Sequence, residues 1–181
     1  MKIKNDEKIK FIPNGYIAVT PWIISPSSAN LIDFLKIAFE AEEVPNSRIT
    51  NEDGIIIHAV VKISDAFLML FDSRDGWPPT PGFLNLYVKN VEQTFKSAIS
   101  LGATAVTGIT ELWFGEKVCR ILDPFGNLWW INQRVSEVDF TDPESLKMAS
   151  TQEARDGIAY IQRSLDEAMK AQKFFFENLL K

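Results

Sequence analysis

One histidine and one cysteine, His58 and Cys119, limit the chemistry that is available to this chain. A Ser–His–Asp relay, a proton shuttle or a metal site built on paired histidines would have to use His58 or do without it. A single thiol excludes an internal disulfide and a zinc site made of several thiolates. His58 lies in the apolar run IIIHAVV. It is either an acid–base group or a hydrogen-bonded structural residue, and the sequence leaves both open.

Aromatic residues are abundant, with 5 tryptophans, 13 phenylalanines and 3 tyrosines among 181 residues. Strand alternation predicts three shared faces: Thr20 with Trp22, Phe83 with Asn85 and Tyr87, and Leu128 with Trp130 and Asn132. If these faces line a cavity, the cavity would suit a flat or apolar small molecule, oriented by a few amide and hydroxyl groups. If they do not, the same aromatic residues form a filled core.

The order of predicted elements is repeated in the two halves of the chain, and these elements must position the aromatic residues. The first half predicts a strand over 16–24, a helix over 29–41 and strands over 55–63 and 67–71. The second half predicts a strand over 83–88, a helix over 91–101 and strands over 118–122 and 128–131. An offset of roughly 60 residues therefore predicts two βαβββ units.

The two units are followed by a helical tail. Pro143 marks one helix start, and Ser150 to Glu153 fit a capping box that opens a longer helix. Its apolar stripe comprises Ala154, Ile158, Ile161, Leu165, Ala168, Phe175 and Leu179, interrupted by Gln172. Such a helix either lies across its own sheet or forms a subunit contact, and the sequence leaves both open. The stripe leads us to expect a homodimer.

Composition and charge exclude several classes of protein. The net charge of −5 is unfavourable for a general nucleic-acid binder, and 46% hydrophobic residues exclude a disordered chain. The longest apolar runs are too short to cross a membrane, and the N-terminal stretch MKIKNDEKIK does not have the pattern of a signal peptide. We therefore expect a cytoplasmic protein that binds neither nucleic acid nor membrane.

Five segments in order carry a family resemblance: VTPWII, LIDFLKIAFEAEE, GIIIHAVVKISDAFLMLFD, LYVKNVEQTFKSAISLGA and LWFGEKVCRILDPFGNLWWI. Over residues 14–133 the chain resembles the glyoxalase/bleomycin-resistance/dioxygenase (vicinal oxygen chelate) superfamily, and is most similar to its PhnB-like branch. The resemblance implies an α+β fold. Two βαβββ modules, about 16–72 and 83–132, would form a half-open curved sheet around a central cavity, with a C-terminal helical extension over 140–181.

The resemblance also implies where a metal would bind. In metal-dependent members, the ligand positions would fall on Thr20, Met69, Phe83 and Trp130 of this chain. A threonine hydroxyl is a poor ligand for a divalent ion, a thioether is a soft one, and phenyl and indole rings cannot ligate. We therefore expect no metal and no other cofactor.

The function expected from the residues and the resemblance together is metal-free binding of a small aromatic or amphipathic molecule, as in sequestration or sensing of the bleomycin-resistance type. The ligand-binding residues would be Thr20, Trp22, His58, Met69, Phe83, Asn85, Trp113 and Trp130. Trp22 and Trp130 would face each other across the cavity, and Trp113 would lie at its lip. No catalytic residue is assigned. Two alternatives stay open: a divalent-metal-dependent lyase, isomerase or dioxygenase with His58 as a ligand, and a protein-interaction module that uses the C-terminal helix.

Overall fold

Both halves of the chain build a sheet in which the first strand lies parallel to the last. The computed structural model describes residues 10–179, with side chains described over 10–171. It separates into two compact units, Met1–Thr80 and Pro81–Lys181. The fold is α+β with two open sheets and a C-terminal helix, as the sequence predicts.

The first unit contains the elements β1 (Trp22–Ser25), α1 (Ser28–Ala38), β2 (Glu42–Glu43), β3 (Ile49–Thr50), β4 (Ile56–Ile63) and β5 (Ala66–Asp72). Its described strands pair in the order β1-β5-β4-β2, and β3 also pairs with β4. One face of this sheet is covered by α1, where Leu31, Ile32 and Leu35 are fully buried. The sheet contributes Ile23, Ala59, Val61, Leu68 and Leu70 to this core.

An acidic residue at the end of β5 joins three elements of the first unit. The Asp72 carboxylate accepts hydrogen bonds from Ser28 N at 2.6 Å and from Ile56 N at 2.8 Å. Ser28 opens α1, whose N-cap residue Ser27 makes no side-chain cap of its own. Asp72 therefore places a carboxylate at the positive end of the helix, where a negative charge is stabilising.

The second unit contains β6 (Phe83–Tyr87), α2 (Val91–Ser100), β7 (Thr104–Leu112), β8 (Glu116–Leu122), β9 (Leu128–Arg134), α3 (Pro143–Met148) and α4 (Gln152–Leu179). Its described strands pair in the order β6-β9-β8-β7. Helix α2 packs against β7, β8 and β9, and α4 packs against β7. Cys119 is fully buried.

Helix α4 lies across its own sheet over the part of the stripe whose side chains are described. Ala154 and Ile161 are buried, and Ile161 forms an apolar cluster with Leu112 of β7 and Val118 of β8. The predicted stripe positions Gln172, Phe175 and Leu179 are outside the described side chains. Of the two interpretations of the tail, packing on its own sheet is confirmed for the stripe positions from Ala154 to Ile161. Within the described residues, no helix is long and apolar enough to cross a membrane.

Several predicted boundaries differ from those of the structure, three of them for a clear physical reason. The first strand begins at Trp22 rather than at residue 16, following Pro21, which has no backbone N–H to pair. Helix α1 ends at Ala38 rather than at residue 41, because Glu40 takes a positive φ of 55° that a helix cannot accommodate. Helix α4 begins one residue later than predicted, since Thr151 caps it by accepting from Ala154 N at 3.1 Å.

Candidate functional site

An exposed cluster of aromatic side chains covers the face of the first sheet opposite α1. We call Trp22, His58, Met69, Phe71 and Trp77 the aromatic face. Trp22 of β1 pairs with Met69 of β5 in the strand register. The Trp22 ring meets the rings of His58 and Phe71 edge-on, at centroid distances of 5.7 and 5.3 Å. The structure therefore brings together three predicted site residues, Trp22, His58 and Met69.

Two tryptophans of the aromatic face keep much of their surface exposed. Trp22 is 47% exposed and Trp77 is 45% exposed. Trp77 lies in the loop between β5 and β6, meets Phe71 edge-on at 5.5 Å and carries the Arg74 guanidinium 4.2 Å above its ring. Trp77 thus folds back onto the sheet although it lies in a loop. An exposed indole held by its neighbours can contact a planar ligand without losing much side-chain freedom.

The imidazole of His58 is held in one tautomer. Its Nδ1 lies 2.8 Å from the backbone oxygen of Ser47, which can only accept a hydrogen bond. The neutral ring therefore carries its proton on Nδ1 and leaves Nε2 as an acceptor. His58 can thus be both a structural hydrogen-bonded residue and the polar group of the aromatic face.

Thr20 lies outside the strand in which we predicted it. The strand begins at Trp22, so alternation within β1 does not place Thr20 on the face of Trp22. The chain here is still held against β5, because Met69 N donates to the Pro21 oxygen at 3.0 Å. Thr20 is half-buried, and its role in binding stays a prediction.

Three predicted site residues share one face of the second sheet. Asn85 of β6 is the register partner of Trp130 in β9, and Phe83 is the partner of Leu128. Phe83 is 56% exposed. The Asn85 side-chain oxygen accepts from Asn132 Nδ2 at 2.6 Å, which fixes its orientation. Phe83, Asn85 and Trp130 are therefore neighbours, as strand alternation predicts.

Arg120 is a residue of this face to which the sequence analysis gave no role. It is the register partner of Trp130, and its guanidinium carbon lies 3.9 Å from the centroid of the Trp130 ring. Its side chain is only 2% exposed, and burial lowers its pKa. The signal that could have revealed it is a lone charge within VCRIL, an otherwise apolar run.

Trp113 lies in the turn between β7 and β8. Its ring meets Phe114 and Phe140 edge-on, at 5.8 and 5.9 Å. It lines a cavity of about 610 Å³ between this turn, α3 and the first turn of α4. The described lining of this cavity contains Trp113 and none of the other predicted site residues. Trp113 is therefore not brought together with Trp130 in one cavity.

The side chains at the four family ligand positions do not fit a metal. Thr20 and Met69 belong to the first unit, and Phe83 and Trp130 to the second. They offer one hydroxyl, one thioether and two rings without a ligating atom, which is not a donor set for a divalent ion. Within the described part of the chain, no group of three or more His, Cys, Asp or Glu side chains is placed to hold a metal ion.

Solved structures with the same fold come from one superfamily. TioX from Micromonospora sp. ML1 is 19% identical with a TM-score of 0.52, covering 66% of this chain and 98% of its own. A glyoxalase/bleomycin resistance protein/dioxygenase family enzyme from Burkholderia phytofirmans is 19% identical with a TM-score of 0.53, covering 66% and 97%. A PhnB protein from Bacillus cereus is 19% identical with a TM-score of 0.51, covering 65% and 99%. The fold is thus the vicinal oxygen chelate fold.

Sequence relatives are found in mycobacteria. An uncharacterized protein of Mycobacterium bovis is 32% identical over 136 residues, which are 69% of this chain and 88% of that protein. An uncharacterized protein of Mycobacterium tuberculosis is equally similar, over 79% of its length. No family model matches the sequence. The chain belongs to one family with these mycobacterial proteins and has the fold of the glyoxalase/bleomycin-resistance/dioxygenase superfamily, so the predicted resemblance is confirmed.

Proposed function

We propose that this chain binds a small aromatic or amphipathic molecule on the aromatic face of its first unit, without a metal, and that it sequesters or senses this molecule rather than converting it. The observation that carries the proposal is the exposure of Trp22, which is 47% exposed although His58 and Phe71 hold its ring. Exposed aromatic residues that lie next to one another are typical of binding surfaces.

The chemistry of the aromatic face defines the ligand. Covering the exposed part of one indole removes on the order of 100 Å² from water and stabilises a complex by about 2 kcal/mol. His58 Nε2 would accept a hydrogen bond from a hydroxyl or amine group of the ligand, while Ser47 keeps the ring in place. A ring with one donor group fits these features better than a purely apolar molecule does.

Fluorescence titration with 2-naphthol tests the proposal. We expect saturable quenching that is unchanged by excess EDTA, and about 2 kcal/mol weaker binding in Trp22→Ala, the loss expected for a central aromatic anchor. Phe140→Ala is the control, because it removes an exposed aromatic side chain of the other unit that is not a predicted ligand contact. Absence of saturable quenching, wild-type affinity in Trp22→Ala or loss of binding in EDTA would each contradict the proposal.

Four residues of the second unit stay predicted ligand contacts: Phe83, Asn85, Trp113 and Trp130. The cytoplasmic location also stays a prediction.

We also propose a homodimer. The described part of the α4 stripe packs against its own sheet, so the dimer interface would lie on another surface of the chain. Light scattering at micromolar concentration tests this, and a monomeric mass would contradict it.

A further inference from the structure

Arg120 is a buried cation for which the described residues offer no carboxylate partner. Its side chain is 2% exposed, and the described ion pairs all involve other cations. A buried charge is strongly unfavourable unless it is paired and hydrogen-bonded. Desolvation is accordingly the cause that lowers the pKa of this guanidinium. The unfavourable free energy of burying this charge must therefore be offset by groups that contact the guanidinium.

Helix α4 supplies a hydrogen-bond acceptor for one nitrogen of the guanidinium. Arg120 Nη1 donates to the backbone oxygen of Ile161 in α4 and, at 3.3 Å, to Thr107 Oγ1 of β7. These bonds hold α4 on the sheet. Arg120 Nε, by contrast, is buried and has no hydrogen-bond partner among the described residues.

A second N–H donor without a partner lies beside the first. Trp130 Nε1 is buried and makes no hydrogen bond within the described part of the chain, and its ring is stacked against the guanidinium of Arg120. The neighbouring Trp129 differs, since its Nε1 donates to Asp123 Oδ2 at 2.9 Å. Two unpaired donors on stacked groups, one of which carries a positive charge, match the chemistry of a negatively charged oxygen.

We propose that Arg120 and Trp130 form an oxyanion-binding site, in which a carboxylate or phosphate oxygen accepts hydrogen bonds from Arg120 Nε and Trp130 Nε1. The oxyanion would approach over β6, because α4 packs on β7 at the opposite edge of the sheet and because Phe83 and Tyr87 of β6 are both 56% exposed. The site lies wholly in the second unit, so it stands or falls independently of the aromatic face.

Nuclear magnetic resonance of the indole N–H groups tests the proposal directly. The full chain gives five indole signals, of which Trp130→Phe identifies the signal of Trp130 and Trp129→Phe that of Trp129. At constant ionic strength, we expect benzoate or phenyl phosphate to shift the Trp130 signal saturably and to leave the Trp129 signal in place. Benzamide, which has the same ring and no charge, should have no such effect. A response to only one of the two anions would assign the site to that oxyanion.

Two variants separate binding from structure. Arg120→Met removes the charge and should weaken the oxyanion about tenfold or more, as expected for a charge-assisted hydrogen bond. Because this variant also loses the bond to Ile161, Trp130→Phe is the second test. It keeps the Arg120 bond to Ile161 and should weaken binding of the same anion, followed through the Arg120 Nε–H signal. A Trp130 signal that no oxyanion moves, or that benzamide moves equally, overturns the proposal.

Discussion

The ring of Trp22 meets the ring of His58 edge-on, with 5.7 Å between their centroids, and the two residues come from strands that β5 separates. Strand β5 pairs with both β1 and β4, so its register with each strand sets the position of the two rings relative to one another. The contact joins a large apolar surface to a hydrogen-bond acceptor. In the proposed complex, recognition of a ring and recognition of its polar substituent would therefore be coupled.

Replacing His58 should change ligand preference more than affinity. We expect the wild type to bind 2-naphthol about fivefold more tightly than naphthalene, because His58 Nε2 accepts from the hydroxyl group and one such bond contributes about 1 kcal/mol. His58→Asn retains an N–H donor that could reach Ser47 but lacks the Nε2 acceptor. The ratio of the two dissociation constants in this variant should approach one. A ratio that stays at the wild-type value would show that His58 does not contact the ligand.

Gly115 should resist substitution more strongly than another glycine of similar backbone conformation. Its φ is 83°, and a Cβ would lie 2.6 Å from the Ser136 oxygen. Gly54 has a φ of 80°, and a methyl group added there would meet nothing within 4 Å. We expect Gly54→Ala to lower the free energy of unfolding by about 1 kcal/mol and Gly115→Ala by about 3 kcal/mol. Urea unfolding measures both, and equal losses would contradict the predicted clash.

The thiol of Cys119 should be unreactive in the folded protein. Burial raises its pKa to about 12, so the nucleophilic thiolate is scarce at pH 8. We expect iodoacetamide to label Cys119 only after unfolding, as followed by mass spectrometry. The raised pKa also means that the unfolded chain loses this proton first, so stability falls as the pH rises from about 9 towards 12. The part of this fall that is due to the thiol should be missing in Cys119→Ala.

Ile161 should anchor α4 to the second sheet. It is 4% exposed and packs with Leu112 and Val118, so Ile161→Ala should lower the free energy of unfolding by about 3 kcal/mol. Met169, on the same helix, is 47% exposed, and Met169→Ala should change stability by less than about 0.5 kcal/mol. Hydrogen exchange in α4 should accelerate in the first variant only. Similar exchange in both would show that the cluster does not hold the helix.

Local patterns predicted the helices and most of the long strands, but they did not locate β7, the nine-residue strand Thr104–Leu112. They could not locate β2 and β3, which are two residues each and depend on pairing with β4. Trp22 and His58 could be named as site residues from type and alternation. The role of Arg120 could not be predicted, because its guanidinium is held by Ile161 of α4, a helix that begins more than thirty residues further along the chain.

Asp72 has a consequence for the time course of folding. Its carboxylate supplies the bond that the first turn of α1 lacks, and β1 has its parallel partner only in β5. During synthesis, α1 and β1 therefore emerge from the ribosome well before the strand that completes them. The first unit can close only after residue 72 has emerged, and β6 must wait in the same way for β9. Folding of each unit is thus governed by closure of a long loop, a non-local and comparatively slow event, rather than by its hairpins.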